Sequence, residues 1–321
     1  MDLKKYNSEM TRYRIIEHQL RDKSVFVVEW NDRWFFGIWG RWHESFHCFK
    51  LEEAMEKIQR LIKILKRDCD ITVIDKLTYA SNPKLIPSDV ELIKADICKI
   101  EEEDIYEADY IVNFAAESHV DNSISNGKPF IKTNVMGTYN LLEVSRKIPN
   151  LKKFVQISTD EVYGDMESRK MMEADEHTSL KPSSNYSATK AAADHLVEAA
   201  GRTHGLPYLI TRTCNNYGVN QHHEKFLPTI INSINLGNAV PLYGDGKQIR
   251  EWIWVEDNVR LVYDLMISET GIWNIGSGDS WSNRSIIQQI GVILNKKVNY
   301  NHVEDRLGHD RRYSIDYSKL Q

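Results

Sequence analysis

Tyr186 and Lys190 have the residue types and the spacing of a proton-transferring pair. Residues 187–205 follow a helical pattern, and side chains four positions apart lie on the same face of a helix. An ammonium group beside a tyrosine favours the phenolate, which is the form that can accept a proton. The pattern Tyr-x-x-x-Lys is also frequent by chance, and a solvated helix face explains it equally well in isolation.

A second reactive group follows the apolar segment 154–158. Here Thr159, Asp160 and Glu161 stand in a row. Two adjacent carboxyl groups in unlike surroundings can divide the roles of general acid and general base. A solvated turn is the plain alternative. Because ligands of parallel sheets bind beyond the carboxyl ends of the strands, we expect this group to share one pocket with Tyr186 and Lys190.

The elements that must position these residues are short apolar strands alternating with helices. Strand patterns occur at 71–75, 90–94, 110–114, 154–158 and 208–210, and helical patterns occur at 130–147 and 187–205. This alternation predicts an α/β fold with a parallel sheet and right-handed crossovers. From about residue 213 the chain is richer in loops, which suits a region that shapes a substrate pocket.

Other strand ends offer further binding groups. Asp75 follows the first strand, where a carboxylate can accept hydrogen bonds from a ribose diol. Asp96 and Ile97 follow the second strand. Ala115 and Ala116 follow the third, where small side chains let a cofactor approach the backbone.

The first 70 residues have a different character. They carry a net charge of +2, against −7 for the remainder, and four of the eight tryptophans lie between Trp30 and Trp42. Strand patterns at 23–30, 33–39 and 45–49 and an amphipathic helix at 51–67 predict a small β-meander-plus-helix module. Its aromatic residues form either its own core or a docking surface for an unknown partner. We therefore divide the chain into residues 1–67, 68–212 and 213–321.

Composition excludes several classes of protein. The 321 residues are 41% hydrophobic and 27% charged, which is typical of a packed globular protein, and their number suggests about two domains. The net charge of −5 argues against a nucleic-acid binder, and no apolar run has the length of a membrane helix. The four cysteines are scattered, so we expect neither disulfides nor a metal site, and a cytoplasmic location. His43, His47 and Cys48 lack a fourth metal ligand.

Longer motifs carry a resemblance to a known family. They begin at Phe114, Ser158, Tyr186, Cys214, Glu224, Gln248 and Asp305, and read FAAESHVD, STDEVYG, YSATK, CNNYG, EKFLP, QIREW and DRLGHDRRY, with DKLTYA at Asp75. In order and spacing, residues 71 to 317 resemble the extended short-chain dehydrogenase/reductase (NAD-dependent epimerase/dehydratase) family. Within it, the triplet Thr-Asp-Glu resembles that of the dTDP-glucose 4,6-dehydratases. The implied fold is a Rossmann-like, doubly wound parallel sheet with a smaller C-terminal substrate-binding region.

The resemblance also implies a reaction and its catalytic residues. A nucleotide-activated glucose is oxidised at C4, dehydrated across C5 and C6, and reduced at C6, with NAD as the transient hydride carrier. Tyr186, helped by Lys190, takes the 4-hydroxyl proton, and Thr159 hydrogen-bonds that hydroxyl. Glu161 removes the C5 proton. Asp160 protonates the departing C6 hydroxyl.

By the same resemblance, binding residues fall into two groups and the protein forms a homodimer. NAD contacts are expected from Asp75, Lys76, Asp96, Ile97, Ala115, Ala116, Ser118, Tyr186 and Lys190. Contacts to the dTDP-sugar are expected from Ser118, Asn216, Glu224, Lys225, Arg250, Asn274, Arg306 and His309. The helices at 130–147 and 187–205 are those through which relatives dimerise.

One family feature is missing from the sequence. The family begins with a strand and a glycine-rich turn that receives the NAD pyrophosphate. Before Asp75 this chain has only Gly37 and Gly40, which lie in an aromatic segment, and Glu52 and Glu53 would repel a pyrophosphate. A module replacing the first βα unit therefore leaves two hypotheses: a dehydratase that holds NAD in an altered way, or an inactive or cofactor-poor nucleotide-sugar binding protein.

Overall fold

The fold is organised around a sheet of seven parallel strands. The computed structural model describes residues 23–28, 69–78, 83–219 and 221–320. The strands of the main sheet are β1 (Lys23–Val28), β2 (Cys69–Asp75), β3 (Glu91–Lys94), β4 (Tyr110–Asn113), β5 (Lys153–Thr159), β6 (Tyr208–Thr213) and β10 (Gly271–Ile275). Their spatial order is β3-β2-β1-β4-β5-β6-β10. The chain therefore adds β2 and β3 on one side of β1 and the later strands, from β4 onward, on the other side. This order confirms the predicted Rossmann-like, doubly wound sheet.

The central strands of the sheet carry apolar side chains on both faces, and both faces are covered by other elements. Ile111, Phe154 and Ile210 pack on one face with the helices that precede and follow β5, whereas their neighbours Val112, Val155 and Leu209 pack on the other. Successive side chains of a strand point to opposite faces, so a strand covered on both sides must be apolar throughout. These short apolar runs are the ones that the sequence predicted as strands.

The structure places β1 in the main sheet. It pairs in parallel with β2 on one side and with β4 on the other, over registers such as Val25↔Ile71 and Val25↔Tyr110. We expected this strand to open a small β-meander; instead it lies inside the main sheet, between β2 and β4. The other parts of that prediction, 33–39, 45–49 and 51–67, lie outside the described residues, so the division at residue 67 stays a prediction.

The described residues form eight α-helices. They are α1 (Glu102–Ile105), α2 (Val120–Ser125), α3 (Lys128–Phe130), α4 (Thr138–Ser145), α5 (Asn185–His204), α6 (Phe226–Leu236), α7 (Val255–Ser268) and α8 (Asn283–Ile293). A π-helical stretch, Ile131–Gly137, joins α3 to α4, so the predicted helix at 130–147 is continuous but irregular. Gly137 permits close packing there, because a Cβ atom would overlap the side chain of Ile97.

The C-terminal region forms two small sheets beside the main one. Strands β7 (Asn215–Tyr217), β9 (Ile249–Trp254) and β11 (Ser280–Ser282) form one, and β8 (Val240–Tyr243) and β12 (Tyr300–Val303) form the other. Within the segment predicted as the substrate-binding region, β10 nevertheless pairs with β6 and completes the main sheet. Among the described helices, none combines the length and the apolar character needed to cross a bilayer.

Candidate active site

A cavity of about 640 Å³ opens at the carboxyl ends of β4, β5 and β6. This is the edge at which parallel sheets of this topology bind ligands. The predicted site residues that line it are Ala116, Ser118, Thr159, Glu161, Tyr186, Lys190, Asn216, Glu224, Lys225, Arg250, Arg306 and His309. The cavity therefore lies between the main sheet and the C-terminal region, which contributes half of these residues.

Helix α5 brings Tyr186 and Lys190 to the cavity. Its first turn is capped by Ser184, whose hydroxyl accepts the amide of Ser187 at 3.1 Å, which satisfies a backbone donor that the helix leaves open. Tyr186 lies in this first turn and Lys190 one turn later, on the same face. Both side chains line the cavity, as the spacing predicts.

Lys190 is buried, and this burial disfavours its charged ammonium form. Its Nζ donates to the carbonyl oxygen of Ile157 at 2.5 Å, at the end of β5. Burial lowers the pKa of Lys190 to about 8, and the Asp194 carboxylate opposes that fall. Lys190 is thus close to the point at which it loses its proton under mildly alkaline conditions.

A tight turn after β5 presents the two carboxyl groups. Thr159 caps this 3₁₀ turn, Asp160–Tyr163, by accepting the Glu161 amide at 3.3 Å. The turn ends at Gly164, where φ is +75° and a Cβ atom would overlap the carbonyl oxygen of Lys181, so only glycine fits. The cap at Thr159 and the glycine at position 164 therefore fix the backbone of the turn that carries Asp160 and Glu161.

Asp160 and Glu161 differ in their exposure to the cavity. Glu161 lines the cavity, whereas Asp160 is 2% exposed and lies behind it, with Thr159 Oγ1 donating to its Oδ1 at 3.2 Å. Burial, together with the nearby charges of Glu161 and Glu251, raises the pKa of Asp160 well above its ordinary value. Asp160 is therefore suited to hold a proton and Glu161 to accept one.

Positively charged side chains from the C-terminal region affect the pKa of Glu161. Burial raises the pKa of Glu161, and the positive charges of Arg250, Lys225 and Arg306 act against that rise. A carboxylate with a raised pKa is a stronger base than one in water, provided that it remains ionised.

Cationic side chains from the C-terminal region face the catalytic residues. Lys225 donates from Nζ to Ser118 Oγ at 2.9 Å, which joins the loop before α6 to the loop after β4. Arg250, on β9, donates to the carbonyl oxygens of Ile249 and Asp310 and stacks over the Tyr313 ring at 4.1 Å. These contacts hold the guanidinium in place, and such groups bind phosphate oxygens through paired donors.

His309 completes this side of the cavity as a neutral side chain. Burial lowers the pKa of its imidazole, and the hydrogen bond with Asp305, at 2.6 Å from Nδ1, acts in the opposite direction. The positive charges of Arg250 and Arg306 lower it further. His309 would therefore reach a ligand by hydrogen bonding through its other ring nitrogen.

Five predicted cofactor contacts lie outside the cavity lining. Asp75 accepts the Leu77 amide at 2.5 Å, and Lys76 forms an ion pair with Asp96 at 2.8 Å. Burial opposes ionisation of Asp96, but Lys76 and the Cys98 amide outweigh it and lower its pKa. The side chains of Ile97 and Ala115 belong to the core, so only their backbone could touch a ligand.

Asn274 does not lie at the cavity. Its side-chain amide is buried and donates to the carbonyl oxygens of Ala174 and Asp316, while its oxygen accepts the hydroxyl of Tyr163. These bonds use both donor hydrogens and the oxygen, so the amide links β10 to neighbouring segments. We therefore do not retain Asn274 as a substrate-binding residue.

Asn134 is a residue that supports the site from outside the cavity lining and that the sequence did not reveal. It lies in the π-helical stretch, accepts the Glu117 amide at 2.8 Å, and donates to the Glu117 carbonyl and to Thr189 Oγ1. This single side chain fixes the loop after β4 to helix α5. A polar residue within an apolar helical pattern was the only available signal.

One group of side chains in the described region has the spacing of metal ligands. His222, His223 and Glu224 have donor atoms within 4.8 Å of one another. His222 is buried, and its Nδ1 lies 3.4 Å from Glu224 Oε2, a contact that needs no metal. His43, His47 and Cys48 lie outside the described residues.

The fold and the cavity together define a nucleotide-cofactor enzyme scaffold of the Rossmann type, with a Tyr–Lys pair on one helix and two carboxyl groups after β5. The chain belongs to the NAD dependent epimerase/dehydratase family, which it matches over residues 60–276.

The chain is also similar to individual members of this family. The chain is 44% identical over 265 residues to the low-salt glycan biosynthesis protein Agl12 of Haloferax volcanii, covering 79% of this chain and 84% of the relative. It is 42% identical over 280 residues to dTDP-glucose 4,6-dehydratase of Haemophilus influenzae, covering 77% and 82%. The crystal structure of DesIV, a dTDP-glucose 4,6-dehydratase from Streptomyces venezuelae with NAD bound, matches with a TM-score of 0.78 at 32% identity, covering 92% of this chain and 89% of that one.

Proposed function

We propose that this chain dehydrates dTDP-glucose to a 4-keto-6-deoxy sugar, with NAD as the transient hydride carrier. The observation that carries the proposal is the convergence of Thr159, Glu161, Tyr186 and Lys190 on one cavity, with Asp160 buried behind it. An epimerase of the same fold needs the Tyr–Lys pair but has no use for two carboxyl groups with separate acid and base roles. The similarity to dehydratases across both regions of the chain supports the same conclusion.

The first proton transfer falls to Tyr186. With the Lys190 ammonium one helical turn away, its phenolate accepts the proton of the 4-hydroxyl while Thr159 orients that hydroxyl. When bound, NAD accepts hydride from C4 and later returns it to C6. The resulting 4-ketone makes the proton at C5 acidic, which prepares the elimination.

The elimination uses the two carboxyl groups in opposite directions. Glu161 lines the cavity and accepts the C5 proton, while Asp160 delivers its proton to the C6 hydroxyl, which leaves as water. The buried position of Asp160 keeps this proton in place until it is needed. When hydride returns to C6, Glu161 gives its proton back to C5, and the proton that Tyr186 took from the 4-hydroxyl restores Asp160 by way of solvent.

The described residues fit the nicotinamide half of the cofactor. Phe114 and Ala116, after β4, line the cavity next to Tyr186 and Lys190, and the small Ala116 leaves the backbone accessible. Asp75 and Asp96 stand at the carboxyl ends of neighbouring strands, where they would face the adenosine half. The diphosphate of the sugar nucleotide would be held by Arg250, Arg306 and His309.

A homodimer is part of the proposal. Large apolar side chains remain exposed on the helical segment 120–145, among them Ile131 (55%), Met136 (53%) and Tyr139 (47%). Exposed apolar surface marks an interaction site where it is extensive. A second copy of the chain, packing through this segment and α5, would cover it.

One observation favours a second function, that of a nucleotide-sugar binding protein without turnover. The residues that should form the pyrophosphate turn contain only Gly37 and Gly40, and they lie outside the described part of the chain. In this case dTDP would raise the melting temperature of the protein, whereas NAD would not.

Turnover decides between the two functions. Purified protein is incubated with dTDP-glucose and NAD, and the product is analysed by mass spectrometry for loss of one water. We expect the 4-keto-6-deoxy sugar from the parent protein and none from Tyr186→Phe, which keeps the shape of the site. Thermal stabilisation by dTDP alone, without product, would establish the binding protein instead.

A further inference from the structure

Beneath the catalytic helix lies a buried ion pair that the proposed reaction does not use. Arg212, on β6, is 2% exposed, and Asp194, on α5, is fully buried. Arg212 Nε donates to Asp194 Oδ2 at 2.9 Å. Burying two charges is costly, and a buried pair often contributes little net stability, so its presence calls for another explanation.

Asp194 stands one helical turn beyond Lys190. The two residues are four positions apart on α5, which places them on the same face. Lys190 is itself buried, and its Nζ donates to a neutral carbonyl, that of Ile157. A neutral acceptor cannot balance a buried ammonium, whereas a carboxylate one turn away can.

The surrounding ionisable groups do not replace this carboxylate. Tyr186, on the same helix, and Glu161, in the turn after β5, line the cavity together with Lys190, and Arg212 is paired with Asp194. Among the described residues, the charge that raises the pKa of Lys190 is that of Asp194. Burial raises the pKa of Asp194, and the buried guanidinium of Arg212 acts against that rise by favouring the ionised carboxylate.

The same ion pair also ties the helix to the carboxyl-bearing turn. Arg212 Nη1 donates to the hydroxyl oxygen of Tyr163 at 3.0 Å, and that hydroxyl donates to Asn274 at 2.8 Å. Tyr163 is the last residue of the turn that holds Asp160 and Glu161. The network therefore connects α5, β6, β10 and the turn through buried side chains.

We propose that Asp194 is a positioning residue that keeps the Lys190 ammonium charged and, through Arg212, holds helix α5 in register with the turn of Asp160 and Glu161. This inference deepens the proposed function and rests on it only where turnover is concerned. The charge on Lys190 is a property of the folded protein and can be measured without any reaction.

The test is a titration of Lys190 in the full-length protein. Lysine side chains are labelled with ¹³C and followed by NMR as pH is raised, and the Lys190 signal is assigned by its absence in Lys190→Met. In the parent protein we expect the Lys190 signal to titrate with a pKa of about 8. In Asp194→Asn the midpoint should fall by about one pH unit or more, as expected when the opposite charge one helical turn away is lost.

Two further variants separate charge from structure. Asp194→Asn leaves a buried guanidinium unpaired and so endangers the fold; the double variant Asp194→Asn/Arg212→Gln removes both charges, and the midpoint should still fall. Tyr163→Phe breaks the hydrogen-bond link but keeps both charges, and the midpoint should remain in place. An unchanged midpoint in the folded double variant would overturn the proposal.

Turnover provides the second readout. If the proposed function is correct, the alkaline limb of kcat should shift to lower pH in the double variant by the same amount as the Lys190 midpoint, with KM changed less than twofold. A shifted midpoint in a protein without turnover would refute the dehydratase function and leave the role of Asp194 intact.

Discussion

Arg306 and Asp121 form a two-point ion pair at the wall of the cavity. Arg306 Nε lies 2.7 Å from Asp121 Oδ1, and Nη2 donates to Oδ2 at 3.0 Å. Asp121 belongs to the first turn of α2, whereas Arg306 follows β12 and lies over the Tyr243 ring. Because Asp121 occupies one edge of the Arg306 guanidinium, we expect a diphosphate that approaches this edge to compete with the carboxylate for it.

This competition predicts that removal of Asp121 strengthens nucleotide binding. In Asp121→Asn we expect the Kd for dTDP to fall about two- to fivefold, which corresponds to the modest strength of a partly exposed ion pair. In the matched variant Arg306→Gln the Kd should rise at least about tenfold, because a charge-assisted contact is lost. Isothermal titration calorimetry measures both. Equal weakening in the two variants would show that Asp121 positions Arg306 for binding instead of competing with the nucleotide.

The different surroundings of Asp160 and Glu161 predict that their variants stop the reaction at different points. Glu161→Gln should lower kcat by about 10² to 10⁴-fold and abolish exchange of the C5 proton with solvent, because the base is lost. Asp160→Asn should slow the loss of water, while the C5 proton continues to exchange.

Recovered substrate and product from both variants are analysed by NMR after incubation in D₂O. Deuterium at C5 in the Glu161→Gln sample, with none in the Asp160→Asn sample, would reverse the two assignments.

Most of the main sheet could be predicted from local patterns. Strands such as β4, fully buried over Tyr110–Asn113, are short apolar runs, and their sequence boundaries were close to those observed. The place of β1 could not be predicted, because pairing in a parallel sheet is decided by distant strands and leaves no mark in the strand itself.

Some residues of the candidate site could be predicted from the local sequence, and others could not. Residues at strand ends and within one helix, such as Glu161 and Lys190, follow from local spacing. Asn134 and Asn274 depend on tertiary contacts with Glu117 and Tyr163, respectively, far away along the chain. Local spacing therefore did not reveal the first, and the resemblance placed the second at the substrate although its side chain lies outside the cavity lining.

The raised pKa of Asp160 predicts a pH dependence of stability. A carboxyl group whose pKa is higher in the folded state than in the unfolded state favours folding at low pH, and this contribution is lost as pH rises from about 4 through the folded-state pKa. Asp160→Asn carries no charge at any pH. Its melting temperature relative to the parent should therefore increase between pH 5 and 8.

Asp245→Asn is the matched control for this experiment. Asp245 is exposed, and hydrogen bonds from Arg311 lower its pKa, so the difference in melting temperature from the parent should stay nearly constant over the same range. A difference for Asp160→Asn that is flat with pH would mean that Asp160 is ionised in the folded protein.

The exposed apolar residues of the helical segment 120–145 predict a dimer that a single charge can disrupt. Met136→Lys places an ammonium at the centre of the expected interface and should convert the dimer to a monomer, as measured by light scattering. Met172→Lys serves as the control, since Met172 is 78% exposed and lies outside this segment. A parent protein that is already monomeric would contradict the proposed dimer.

The path of the hydride tests the central claim most directly. dTDP-glucose carrying deuterium at C4 is incubated with the protein and NAD, and the product is analysed by NMR. The proposed mechanism predicts that the deuterium appears at C6 of a 4-keto-6-deoxy sugar, because the hydride taken from C4 is returned within the same site. Product without deuterium at C6, or recovered substrate with its deuterium still at C4 and no product, would contradict the mechanism.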